Sequence, residues 1–302
     1  EESTRSLRLF DLSYKGVESE LSLARTSWYT KSSEAHFTRL RFKTPAQEAR
    51  LIEIAKRNAI AHTPSYVLRE SLKRHGEKVA MLWSGGRCST VVVHMIRKIK
   101  PQIKVLFVNT GVEYPETVAY VKKLGKEWGI NLEILKPERT FWEISKVHGP
   151  PTARRPSNMR RGEPDTPPCC FWLKKKPVRD FVRENEIKAL ITGMRAGEST
   201  VRAIAFRQKG AQFYFVKREK IWKYNPLAFW STRRVSEYIA KNDIPLNPLY
   251  LKLDRVGCWP CSAFFGWRTE LSETNPRLYE ALNRMFHGAS VSSCPEGKAM
   301  NH

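Results

Sequence analysis

The sequence predicts an α/β fold, a doubly wound and mostly parallel sheet. Three observations predict it. Strand-length apolar runs alternate with segments of helical period from residue 77 to residue 147. A Ser84-Gly85-Gly86 turn joins the first strand directly to the first helix of this alternation. The second strand also ends in a small polar turn, Asn109-Thr110-Gly111, as expected where strand ends form a ligand crevice.

Residues 1–45 are charged and weakly periodic and read as an arm. Residues 46–74 carry apolar positions at helical spacing around a Thr63-Pro64 break, which predicts two helices. A strand at 77–83 leads to a helix at 88–99, and a strand at 103–109 to a helix at 115–128. The next strand, 131–135, leads to a helix at 139–147. Residues 148–168, rich in Pro and Arg, predict a long functional loop. Beyond it come a helix at 171–186, a strand at 189–191, a strand at 212–217 and helices at 231–242 and 274–287. Three units follow: an N-terminal arm and helices (1–74), a main α/β domain (75–287) and a small polar tail (288–302).

No stretch approaches the roughly 20 apolar residues of a membrane span. The first ten residues are polar and charged, unlike a signal peptide, so a cytoplasmic location and no membrane partner are expected. With 53 Lys and Arg against 30 Asp and Glu, the net charge is +23, large for an enzyme of a small metabolite. The basic runs Arg154-Arg155, Arg160-Arg161 and Lys174-Lys175-Lys176 read either as solvated faces or as contacts to a polyanion. RNA or a ribonucleoprotein is the expected partner in preference to DNA.

Ser84, Gly85, Gly86, Arg87, Cys88 and Ser89 form a glycine turn at a helix start, where backbone amides can cradle phosphate or sulfate. A plain strand–helix turn has the same composition. Cys88 reads as a nucleophile whose thiol acidity a helix N-terminus would raise, or as a small residue filling the turn. Cys169-Cys170 and Cys258-x-x-Cys261 form two close pairs, and Cys-x-x-Cys brings two thiolates to one metal. A metal is the expected occupant, as an iron–sulfur centre or zinc, with buried unliganded cysteines as the alternative.

Five segments, in order, carry a resemblance to the PAPS reductase-like (sulfonucleotide reductase) family of the PP-loop ATP pyrophosphatase and adenine nucleotide α-hydrolase superfamily. They are Ser84-Gly85-Gly86-Arg87-Cys88-Ser89, then Asn109-Thr110-Gly111-Val112-Glu113-Tyr114-Pro115-Glu116-Thr117, then Gly193, Arg195, Glu198, Ser199 and Arg202. Asn225-Pro226-Leu227-Ala228-Phe229-Trp230 follows, and the last pairs Ile244–Tyr250 with Gly257–Cys261. The resemblance implies the superfamily's sheet topology with an N-terminal extension. It also implies an adenine nucleotide, with ATP and Mg²⁺ as one form, on Ser84, Gly85, Gly86, Arg87, Ser89, Asn109, Thr110, Gly111, Gly193, Arg195, Glu198 and Arg202. It further implies that the four paired cysteines hold a [4Fe–4S] cluster.

Three letters depart from the family's pattern: Cys88, Asn109 and Phe229 each stand where it has Asp. The first two remove carboxylates suited to Mg²⁺ or ATP. The family's nucleophilic tail segment is unmatched too, which leaves Cys294 as a candidate catalytic thiol beside Cys88. Three functions are therefore expected in competition. One is an iron–sulfur protein acting on RNA by ATP-dependent thiolation or adenylation. The others are a non-catalytic RNA-binding relative and a small-molecule sulfonucleotide reductase.

Overall fold

A computed structural model describes residues 44–57, 59–149, 151, 167–261 and 267–288. Two helices come first, α1 (Pro45–Lys56) and α2 (Pro64–His75). Thr44 and Gln47 close a reciprocal capping box on α1, and Thr63 caps α2 ahead of a proline at its first position, which stops one helix from running into the other.

The alternation expected next is present. It comprises β1 (Val79–Leu82), α3 (Arg87–Arg97), β2 (Lys104–Val108), α4 (Pro115–Glu127), β3 (Leu132–Leu135) and α5 (Phe141–His148). A turn of helix at Pro168–Cys170, a π-helical turn at Phe171–Lys175 and α6 (Lys176–Glu184) then run on without a break. After β4 (Ala189–Ile191) come α7 (Thr200–Lys209), the hairpin strands β5 (Phe213–Val216) and β6 (Ile221–Tyr224), and α8 (Thr232–Lys241). A pair of helices, α9 (Trp267–Thr274) and α10 (Pro276–Gly288), ends the described chain.

The strands form one sheet in the order β3-β2-β1-β4-β6-β5, parallel except for β5, which runs antiparallel to β6. The chain builds outward from β1 to β3, then crosses back to β4 on the other side of β1. That reversal opens a crevice at the carboxyl ends of β1 and β4. Alternate residues of β1 enter different cores, as a strand's period of two requires. Met81 and Trp83 meet Val91, Val92 and Val93 of α3, while Ala80 packs with Leu106, Leu190, Ile221 and Phe181 on the opposite face.

Three elements differ from the sequence reading: the strand Ile221–Tyr224 and the helices Thr200–Lys209 and Trp267–Thr274 have no counterpart in it. The strand has only four residues and lies directly before Asn225-Pro226, so its pairing with β4 and β5 carries it rather than a periodic signal. No helix among the described residues is long and apolar enough to cross a membrane.

Candidate nucleotide site and thiol cluster

The Ser84–Ser89 loop lies at the β1 end of the crevice and is braced from within. The Ser84 amide donates to Ser89 Oγ at 3.2 Å, and Ser89 Oγ donates to the Gly86 carbonyl at 2.9 Å. Gly86, the N-cap of α3, contributes no side-chain cap. Gly85 sits at φ +71°, and a Cβ there would fall 2.8 Å from Thr117 Cγ2. Gly193, just past β4, approaches more closely still: its Cβ would lie 2.6 Å from the Ser89 nitrogen. Two residues of the Ile244–Tyr250 segment hold the loop from outside. Asn247 Nδ2 donates to the Gly85 carbonyl (3.3 Å) and to Thr117 Oγ1 (3.0 Å), and the Tyr250 hydroxyl accepts from the Arg87 amide at 3.0 Å.

Arg195 is 7% exposed, and its donors are turned into the protein. Nε donates to Cys88 Sγ at 3.1 Å, Nη1 to Glu48 Oε1 (2.9 Å) and the Trp230 carbonyl (3.0 Å), and Nη2 to Thr232 Oγ1 (3.2 Å). Burial alone would loosen its proton, but Cys88 and Glu48 hold it more tightly than water does. Arg202 pairs with Glu198 and keeps 43% of its side chain exposed, which makes it the more accessible of the two guanidinium groups. At the end of β2, Asn109 Oδ1 accepts from the Gly111 amide at 3.1 Å, so the residue shapes its own turn.

The cysteines flank this crevice. Glu113 and Cys258 form an antiparallel bridge, and the Trp259 amide donates to the Val112 carbonyl at 2.9 Å, which docks the Cys-x-x-Cys turn on the loop after β2. Thr110 Oγ1 lies 3.6 Å from Cys258 Sγ, and Cys258 donates to Glu113 Oε1 at 3.5 Å. Burial pushes the Cys258 thiol up to about 12. Cys169 and Cys170 share a hydrogen bond that raises the first thiol and lowers the second, helped by Lys174, Lys175 and Arg255. The charge of Cys261 bears on both Cys169 and Cys258. Lys174 reaches Glu113 Oε1 at 3.1 Å. Burial would lower its pKa, yet Glu113 and Cys258 raise it overall.

No three His, Cys, Asp or Glu groups among the described residues already surround one point in the manner of a metal site. The donor set nevertheless fits an iron–sulfur cluster chemically. Four half-buried thiols from two segments share one neighbourhood, with lysine charge beside them to offset thiolate.

Residues 78–264 match the phosphoadenosine phosphosulfate reductase domain. The chain belongs to this family. An adenosine 5'-phosphosulfate reductase of Deinococcus radiodurans is 30% identical over 161 residues, which cover 53% of this chain and 56% of that protein. An uncharacterised protein of Methanocaldococcus jannaschii is 28% identical over 195 residues, 64% of this chain and 44% of its own length. The chain thus spans about half the length of these curated relatives. The crystal structure of the PAPS reductase from Candida auris, a phosphate complex, superposes with a TM-score of 0.50 and 24% identity, covering 72% of this chain and 96% of that one. It has the same fold.

Within this PAPS reductase domain, Ser84–Ser89, Gly193 and Arg195 meet directly, and Thr110 meets Cys258. Of the lysine run, Lys174 turns to Glu113, and Lys176 bridges Glu138 and Asp180 at 2.7 Å each. Arg154, Arg155, Arg160, Arg161 and Cys294 lie outside the described residues. Phe229 packs beside Ile52 and Ala55 of α1, so an apolar contact with the N-terminal helix occupies the third departing position. Sequence reasoning passed over Asn247, Tyr250 and Glu48. The first two stand in a quoted family segment, whereas Glu48 belongs to no motif.

Proposed function

We propose that this chain binds an adenine nucleotide on the Ser84–Ser89 loop, holds a [4Fe–4S] cluster on Cys169, Cys170, Cys258 and Cys261, and acts on RNA. One observation carries the reading: Thr110, at the strand end beside the loop, touches Cys258 at 3.6 Å, so the anion cradle and the thiols share one crevice. Loop amides at the start of α3 bind phosphate, and Arg202 with Glu198 lines the approach. Lys174 balances thiolate charge on the opposite side. When bound, the cluster supplies a redox-active, Lewis-acidic centre.

The polyanion has a suitable path. A groove of about 690 Å³ runs from Ser84 and Glu113 over the sheet face beside α6 as far as Arg218 and Lys220. Eight Lys or Arg and four acidic residues line it. Each of those acids, Glu113, Asp180, Glu186 and Glu219, is held by a lysine. The remaining basic side chains leave the rim positive, which favours phosphate.

A second reading, an RNA-binding relative without turnover, is favoured by Cys88 and by Asn109, whose side chain is engaged in its own turn. One experiment separates them. RNA crosslinked to the protein in cells is sequenced, and anaerobically purified protein is assayed with that RNA for conversion of ATP to AMP. Bound RNA with turnover supports the first reading, and bound RNA alone supports the second. Reduction of adenylyl sulfate without RNA would replace both with a reductase. A colourless, iron-free protein lacking the broad absorbance at about 400 nm would remove the cluster.

A further inference from the structure

The family domain starts at residue 78, yet its loop is wired to a helix that precedes it. Glu48 on α1 is 12% exposed and accepts from three donors: Arg195 Nη1 at 2.9 Å, Thr232 Oγ1 at 2.8 Å, and the Thr232 amide, shared between its two oxygens at 3.0 and 3.1 Å. The Thr232 amide opens α8, so the carboxylate also sits at a helix N-terminus. Gly197 makes room for it, since a Cβ there would lie 2.6 Å from Glu48 Cγ. On its far side Arg195 touches Cys88 at 3.1 Å.

We propose that Glu48 is a positioning residue of the loop, which fixes and neutralises Arg195 and thereby sets the charge state of Cys88. The other groups facing Cys88 are already engaged. Cys88 acts electrostatically on both Arg202 and Tyr250. Arg202 is paired with Glu198, and the Tyr250 hydroxyl accepts from the backbone of Arg87, whose guanidinium stacks 4.5 Å above the Tyr250 ring. The charge that Cys88 experiences from Arg195 therefore depends on Glu48. The functional weight of this arrangement rests on the loop being the anion site, whereas the electrostatic relation does not.

The test follows alkylation of Cys88 by iodoacetamide in the full chain, across pH, by peptide-resolved mass spectrometry. In Glu48→Gln the guanidinium loses its counter-charge and favours the thiolate. The profile moves to lower pH, with about tenfold faster alkylation below the midpoint and an unchanged plateau above it. Gly197→Ala, which displaces Glu48 without altering any charge, moves the profile in the same direction. An unchanged profile overturns the proposal. So does acceleration by one factor at every pH, because that reports only a loosened α1. Should Glu48→Gln fail to fold, Gly197→Ala decides alone, and an unchanged Cys88 profile there overturns the proposal. ATP binding by the wild-type chain, measured in parallel, judges the loop reading separately.

Discussion

Gly193→Ala tests whether the crevice is as tight as its geometry implies. A Cβ at this position would lie 2.6 Å from the Ser89 nitrogen, 2.7 Å from its Cα and 2.8 Å from the Cys88 carbonyl carbon. All three are backbone atoms, so no side-chain rotation relieves the overlap. Reaching ordinary contact near 3.4 Å needs about 0.8 Å of separation between the end of β4 and the start of α3. That first turn is tied by Ser89 and Thr90, whose hydroxyls both donate to the Gly86 carbonyl. The cost therefore falls at the upper end of overpacking, about 3 kcal/mol. For a domain of this size that lowers the melting temperature by roughly 6 °C or more. Urea denaturation measures the loss, and calorimetric titration with ATP reports the accompanying loss of binding. Gly111→Ala is the control: its φ is positive, +77°, unlike that of Gly193, but nothing lies within 4 Å of its Cβ. It should cost only the backbone strain, about 1 kcal/mol. A Gly193→Ala protein with wild-type midpoint and ATP affinity would refute the close approach.

Three other perturbations are as specific. Asn225 is fully buried, accepts from Thr192 Oγ1 at 2.6 Å and donates to the Ala211 carbonyl at 2.7 Å. Asn225→Ala strands both partners, and urea unfolding should show a loss of about 3 kcal/mol at unchanged slope. His94 is held down to about 4 by burial, with Lys98 and Arg97 adding to it. As pH falls below about 6.5 the unfolded chain takes up this proton first, so stability is complete above that pH and declines toward pH 4. Thermal melts should reveal about 2 kcal/mol lost between pH 7 and pH 5, and His94→Gln should abolish that share. Reversing Lys188, Arg218 and Lys220 to Glu should weaken RNA binding and flatten its salt dependence, while calorimetry shows unchanged ATP affinity. Equal RNA affinity in the reversed protein would exclude the groove as the RNA path.

The loop, the parallel sheet and the paired thiols were legible in the sequence because each has a local signature. A glycine turn between a strand and a helix, apolar runs of strand length, and Cys-x-x-Cys all reside in contiguous residues. What stayed hidden has no such local mark. The strand Ile221–Tyr224 is four residues long and is held by neighbours on both sides. Lys174 reads as one member of a basic run, yet the π-helical turn Phe171–Lys175 brings it to Glu113 instead.

The sequence by itself determined the family, the glycine turn between β1 and α3 and the two close pairs of cysteines, since those depend on which residues occupy a few adjacent positions. Only the tertiary structure decided which groups face each other across the crevice. Glu48 and Arg195 stand 147 positions apart, and Thr110 and Cys258 stand 148 apart. Neither pair leaves a pattern along the chain. The docking of α1 on α7 brings the first pair together, and the Glu113–Cys258 bridge brings the second within reach. At that range, burial and charge rather than residue type settle what a side chain does. Arg195 thus turns its donors onto Cys88, Glu48, Trp230 and Thr232, partners that its motif alone does not reveal.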